Sequence, residues 1–191
     1  MRLAGIFSNL ATVETPRLLL RPMSLDDAED MFAYASDPQV VRFTSWNVHQ
    51  SIDDTRAFLQ HTVDAYRDDR AAGWAVEHKA DRRMIGTCGF IWWNQADAKA
   101  ELGYALSRDY WGQGYATEAA SASIDFGFQV MRLHRIQAGC VAANTGSVRV
   151  LEKIGMTLEG TQREAVLDDY SFADLLLYAI LRQEWEARTI C

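Results

Sequence analysis

Arg108-Asp109-Tyr110-Trp111-Gly112-Gln113-Gly114-Tyr115-Ala116-Thr117-Glu118-Ala119 constrains this chain more than any other stretch. A strand-like run over 101–107 precedes it. A long helical pattern follows, with small or apolar residues at Ala116, Ala120, Ser123, Ile124, Gly127 and Met131, the recurrence of one buried helical face. The chain therefore predicts a strand that stops, turns on glycine and restarts as a helix. Gly112 and Gly114 remove side chains that would hold a ligand away from the backbone. The first N–H groups of the helix lack carbonyl partners and sit at the positive end of its macrodipole. Such a turn suits an anion, above all a phosphate or pyrophosphate.

Two familiar phosphate loops do not fit. A P-loop needs G-x-x-x-x-G-K-[ST], and no Lys or Ser/Thr follows Gly114 at the required place. A dinucleotide fingerprint needs a third small residue, and the run from Gly112 breaks that pattern at Thr117. A plain strand-to-helix turn whose glycines relieve backbone strain accounts for the pair equally well, so the rest of the chain has to decide.

The 191 residues predict a single domain over 1–191, with 49% hydrophobic and 24% charged residues in globular proportion. A net charge of −7 gives no reason to expect nucleic acid and leans weakly toward a cationic substrate such as an amine or a basic protein tail. Cys88, Cys140 and Cys191 are far apart and read as reduced cytosolic thiols. His49, His61, His78 and His134 have no clustered ligand spacing, so no metal is expected. Residues 1–13 are a weak match to a signal peptide, and no apolar run approaches the roughly 20 residues of a membrane span. A cytoplasmic protein is the expectation.

In chain order, 17–21 reads as a strand and Ser24 caps a helix that Asp37-Pro38 ends, with Leu25, Ala28, Met31, Phe32 and Ala35 on its apolar side. Residues 40–50 have mixed polarity, and Ser51 with Asp54 starts a second amphipathic helix. Alternation over 74–78 and a β-rich run over 84–93 give a hairpin. On 101–107, Leu102, Tyr104 and Leu106 share one face, while Glu101, Gly103 and Ala105 share the other. A strand over 135–141, a helix from Asn144 to Ile154 stopped at Gly155, and strands over 157–166 and 172–181 complete a mixed α/β pattern.

These segments together resemble the GNAT superfamily of N-acetyltransferases, within it the RimJ/RimL-like group that acetylates ribosomal-protein N-termini. The resemblance rests on Thr15-Pro16-Arg17-Leu18-Leu19-Leu20-Arg21-Pro22, Glu101-Leu102-Gly103-Tyr104, the run Tyr110 to Ala119, Asn144-Thr145-Gly146-Ser147, Leu151 to Met156, Glu159-Gly160 and Tyr178 to Trp185. It implies a central mixed, mostly antiparallel sheet of about seven strands, splayed at its fourth and fifth, flanked by about four helices. In the superfamily pattern [QR]-x-x-G-x-[GA] the last two fixed positions fall on Gly114 and Ala116. The first falls on Trp111, a departure that backbone contacts tolerate.

The resemblance implies acetyl-CoA as co-substrate, its pyrophosphate held at Trp111, Gly112, Gln113, Gly114, Tyr115, Ala116 and Thr117, and its pantetheine arm near Leu106, Asn144 and Ser147. Glu101 is the candidate base and Ser147 the candidate hydroxyl near sulfur; an ion-paired strand carboxylate and an ordinary first-turn serine are the competing readings. Asn144 also suits a helix cap. Glu164 is a second candidate carboxylate, standing two residues from Val166, which occupies the place some members give to an acid. Glu118 reads as structural. Trp46, Trp92, Trp93 and the loop at 168–170 are expected to line the acceptor pocket, with core packing as the alternative for the tryptophans. The acceptor is an amine, either a protein N-terminus or a small molecule such as a polyamine, amino acid or antibiotic; a CoA-binding module without catalysis is the remaining reading. Homodimers are common in the family.

Overall fold

The structure, a computed structural model, describes residues 4–168 and 171–189. Among these residues the strands are β1 (Val13–Glu14), β2 (Leu18–Arg21), β3 (Gly73–His78), β4 (Arg83–Asn94), β5 (Lys99–Leu106), β6 (Arg135–Val141), β7 (Thr157–Asp168) and β8 (Ser171–Leu181). The helices are α1 (Ala28–Ala35), α2 (Pro38–Val41), α3 (Ile52–Arg67), α4 (Tyr115–Gln129), α5 (Thr145–Lys153) and α6 (Arg182–Thr189). One sheet of eight strands runs in the order β1-β2-β3-β4-β5-β6-β8-β7. Eight strands and six helices exceed the expected seven and four because β1, α2 and α6 are short or weakly patterned. Pro38 ends α1 as expected and then serves as the first residue of α2, capped by Asp37, whose side chain accepts from Gln39 N–H. Leu25 is 47% exposed, and Tyr34 takes its place beside Met31 and Ala35 in the core.

Pairing is antiparallel throughout the described strands except between β5 and β6. These two run parallel and meet over three pairs, Lys99–Arg135, Ala100–Ile136 and Glu101–Gln137. From Leu102 onward β5 has no partner on that side, so a gap opens toward the C-terminal ends of both strands. This is the splay the family resemblance implies, and Glu101 stands at its root. Parallel strands with helices after each of them place two helix N-termini at the mouth of such a gap, the usual ligand position in sheets of this kind.

α4 lies against the sheet because Gly127 lets it approach. A Cβ there would stand 2.7 Å from Phe90, 2.8 Å from Ile136 and 3.2 Å from Leu133. Trp74 is fully buried under the same helix, edge-on to Phe126 at 5.0 Å. The start of α4 is then fastened to β2: Glu118 accepts from Thr15 Oγ1 (2.6 Å), Arg17 N–H (2.9 Å) and Arg17 Nε (2.7 Å). Burial pushes the Glu118 carboxyl up, but the bonds from Thr15 and Arg17 outweigh it and hold the group below the usual glutamate value. The acid that suits the helix dipole is also a tie between two elements.

At the other edge, residues 5–8 wrap the carboxylate of Asp69, which accepts the N–H groups of Gly5 (2.7 Å), Phe7 (2.8 Å) and Ser8 (3.1 Å). Phe7 is buried against Trp93, and Trp74 Nε1 donates to the Ala11 carbonyl at 2.9 Å.

Two outcomes follow from this packing. Gly127→Val should cost about 2–3 kcal/mol through overpacking, read as a lower urea midpoint; an unchanged midpoint would mean that α4 can lift off the sheet freely. Glu118→Gln should cost about 1–3 kcal/mol at pH 7, as expected for bonds to a charged group. Because the folded pKa is depressed, the stabilisation exists above the unfolded glutamate value of ~4.3 and fades as pH falls through the lower folded one. Wild type and variant should therefore converge in acid, in paired denaturation curves.

Candidate active site

The glycine turn is built as the spacing predicts. A short 3-10 turn, Arg108–Tyr110, follows β5, and Gly112 and Gly114 both take positive φ, +72° and +84°. Only glycine adopts this conformation without strain. Nothing lies within 4 Å of a Cβ built on Gly112. Among the described residues the N–H groups of Gly112, Gln113, Gly114, Tyr115, Ala116 and Thr117 find no acceptor, and the first amide bonded back is that of Glu118, to Gly114 at 3.0 Å. Six open donors at the positive end of a fifteen-residue helix form a cradle for an anion.

Arg17 braces this turn. Its Nη1 donates to the Gln113 carbonyl at 3.0 Å, and its guanidinium lies 4.2 Å over the Tyr115 ring. Trp111, 48% exposed, turns its indole N–H onto the Leu106 carbonyl at 2.8 Å. Ser107 N–H donates to Ile85 on β4, so alternation along β5 aims the polar backbone groups of Leu106 at the gap. The Leu106 N–H thus faces the gap rather than β4.

Glu101 is half-buried at the last β5–β6 pair, and Gln137 Nε2 donates to its Oε2 at 3.3 Å. Across β4, Trp92 pairs with Glu101 and is 41% exposed, with the Lys99 ammonium 5.7 Å from its ring. On the other side of the gap Asn144 caps α5: its Oδ1 accepts from Ser147 N–H at 3.1 Å. Its amide nitrogen is not used in that cap. Ser147 Oγ shares a 2.8 Å hydrogen bond with the hydroxyl of Tyr104, which reaches across from β5. Burial pushes the Tyr104 phenol up strongly, so it stays protonated; it also donates to the Ser147 carbonyl at 3.3 Å, and either hydroxyl can be the donor in the shared bond.

The structure brings Glu101, Leu106, the glycine turn, Asn144 and Ser147 to one gap. The other candidates make contacts of their own. Trp93 packs edge-on to Phe7 at 5.5 Å, its Nε1 buried with no partner among the described residues. Trp46 packs against His49 and Phe58; Val40, Val41 and His49 are buried, and the rest of 42–50 is partly or fully exposed. Glu164 lies in a register break of β7 between Gln162 and Val166, at φ +52°, with its N–H donated to Asp174. The break interrupts the alternation that would put it on the face of Val166. In the predicted loop at 168–170, Asp169 and Tyr170 lie outside the described residues. The sequence gives no sign of Arg17 or Tyr104 as site residues, since nothing local announces a partner 96 or 43 positions away.

Among the described residues no group of three His, Cys, Asp or Glu side chains is placed to hold a metal, and no helix is long and apolar enough to cross a membrane. The family description "Acetyltransferase (GNAT) domain" matches residues 17–157. A Bacillus licheniformis protein named "Uncharacterized N-acetyltransferase p20" is 32% identical over 176 residues, 92% of this chain and 99% of its own. The Bacillus subtilis "Putative ribosomal N-acetyltransferase YdaF" is 29% identical over 136 residues, 65% of this chain and 74% of its own. The crystal structure of a GNAT-family acetyltransferase from Bacillus anthracis superposes with a TM-score of 0.82 at 32% identity, over 91% of this chain and 100% of that one. With the glycine cradle and the splayed parallel pair already in place, these matches make the chain a member of the GNAT acetyltransferase family and an acyltransferase.

Proposed function

We propose that the chain transfers acetyl from acetyl-CoA to a primary amine within a ternary complex, and that the acceptor is the α-amine of a protein N-terminus of the ribosomal-protein type. The observation that carries the first part is the row of six unbonded amides, Gly112 to Thr117, beside the β5–β6 gap. Those residues fit a pyrophosphate: the donors are open, Gly112 leaves clear space, and the helix contributes its positive end. They would hold that group, while Leu106 N–H and the free amide nitrogen of Asn144 would hold the arm that follows. When bound, acetyl-CoA supplies the thioester that makes the acyl carbon reactive.

The remaining work belongs to the chain. Glu101 is the base that takes a proton from the incoming ammonium, steadied by Gln137 at 3.3 Å. An α-amine near ~8 surrenders that proton more readily than a lysine near ~10.4, which favours the N-terminal acceptor. Leu106 N–H supports a carbonyl as negative charge grows on its oxygen. Ser147, hydrogen-bonded to Tyr104, stabilises a departing thiolate by donation from its hydroxyl. The acceptor approaches the Glu101 face, where Trp92 is the exposed aromatic. The name of the B. subtilis relative supports the ribosomal reading.

Glu101→Gln should lower kcat by about 10²-fold or more, the usual contribution of a general base, with acetyl-CoA affinity kept; unchanged turnover across pH would reject Glu101 as base. Gly114→Asp puts a carboxylate at the cradle and should raise the dissociation constant for CoA by about tenfold or more, a step of 1.4 kcal/mol; retained affinity in calorimetry would place the cofactor elsewhere. Turnover across ribosomal-protein N-terminal peptides and small amines then separates the acceptor classes, and acetylation confined to the small amines would overturn the ribosomal reading.

A further inference from the structure

The glycine turn is bracketed by two tyrosines, Tyr110 before it and Tyr115 after it, and both lead to the same side chain. Their rings pack against His78 at 5.5 and 5.0 Å and against each other at 6.0 Å. His78 ends β3, and its side chain is 12% exposed. Its Nδ1 lies 2.7 Å from Asp81 Oδ2, and its Nε2 lies 3.0 Å from the Tyr115 hydroxyl. Tyr110 donates its hydroxyl to the same Asp81 oxygen at 2.6 Å.

The chemistry of the partners fixes the direction of each bond. An ionised carboxylate only accepts, so the proton of a neutral His78 sits on Nδ1 and points at Asp81. Nε2 is then the acceptor and takes the Tyr115 O–H. The chain reads Tyr115 O–H to His78 Nε2, His78 Nδ1–H to Asp81, and Tyr110 O–H to Asp81, with every polar atom used once or shared at an acceptor that has room. The bond from Tyr110, and after it the one from His78, holds the Asp81 carboxyl below its usual value, and Asp81 in turn pushes the Tyr110 phenol up to about 12. Asp81 is thus kept as an acceptor and Tyr110 as a donor.

The hairpin carrying His78 and Asp81 is tied to β2, because Leu18 pairs with His78 and Lys79 N–H donates to the Arg17 carbonyl at 3.1 Å. Tyr115 is thus held on one side by the Arg17 guanidinium and on the other by the His78 imidazole. The two tyrosines flank and enter a segment whose N–H groups, from Gly112 to Thr117, donate no hydrogen bond among the described residues.

We propose that His78 is a positioning residue for the pyrophosphate turn: through Tyr115 directly, and through Asp81 and Tyr110, it holds the segment with the six open amides in place before any ligand arrives. A segment with unpaired donors and two positive-φ glycines has many alternative conformations, and fixing it in advance removes an ordering cost from binding. The inference rests on the reading of the turn as the CoA site.

The test compares calorimetric binding of coenzyme A with binding of S-acetylpantetheine, which lacks the pyrophosphate. His78→Phe keeps a ring in place and removes both polar ends. It should weaken coenzyme A by about tenfold, the worth of one net hydrogen bond, and leave S-acetylpantetheine within about twofold. Tyr115→Phe should act in the same direction, and the double variant should be no weaker than His78→Phe alone, since both remove one shared bond. Equal losses for the two ligands, or unchanged coenzyme A binding in a folded His78→Phe protein, would overturn the proposal. Gly114→Asp serves as the control: if it weakens coenzyme A while His78→Phe does not, only the positioning role fails, and if neither matters the turn is not the site. Should His78→Phe not fold, Asp81→Asn at the more exposed end of the chain reads the same link with the same two outcomes.

Discussion

Two strands that run side by side for three residues and then part decide most of what this molecule can do. In a sheet every backbone donor and acceptor seeks a partner, and the separation of β5 from β6 after Glu101 leaves both edges without one. The cost is offset locally. Trp111 satisfies the Leu106 carbonyl with its indole, and Tyr104 spans the opening to Ser147. What remains is a slot whose mouth is formed by the N-termini of α4 and α5, so positive potential gathers where the sheet has come apart.

Several residues serve the architecture and the slot together. Asn144 closes the first turn of α5 with its oxygen and keeps its nitrogen for another partner. Glu118 neutralises the helix end, anchors Thr15 and Arg17, and so fixes the side chain that braces Gln113. The helix-cap role of Asn144 and the structural role of Glu118 are therefore both real. Capping by Asn144 does not compete with ligand binding, because the cap uses only half of its amide.

The residue pattern revealed the periodic elements and missed those that depend on distance. β6 is readable at 135–141 because apolar residues alternate over its whole length, and α3 because Ser51 and Asp54 form a complete capping box. The glycine turn was legible for the same reason: its geometry requires glycine at Gly112 and Gly114 and hardly anything else. α6 was not legible, since Arg182-Gln183-Glu184-Trp185-Glu186-Ala187-Arg188-Thr189 has almost no apolar face and docks by long polar arms, Arg182 to Phe128 and Leu133, Arg188 to Ile154, Trp185 to Asp125. The break in β7 around Glu164 carried no glycine or proline to announce it. At the site, Glu101, Asn144 and Ser147 follow from the family resemblance, whereas their partners Gln137 and Tyr104 depend on cross-strand and strand-to-helix contacts invisible in one dimension.

The opening segment of the chain has a part in colloidal behaviour. β2 is a four-residue strand of Leu-Leu-Leu-Arg that would lie at the border of the sheet with Leu18 and Leu20 inward and its backbone groups bare. β1 pairs with it over Val13 and Glu14, and the coil at 5–11, knotted onto Asp69 and Trp74, keeps that cover seated. Bare borders recruit strands from other molecules. Trimming the first dozen residues would therefore do more than remove Phe7 from the core: it would open a leucine-rich ladder to self-association, so that precipitation, rather than loss of the glycine cradle, would be the first sign of damage.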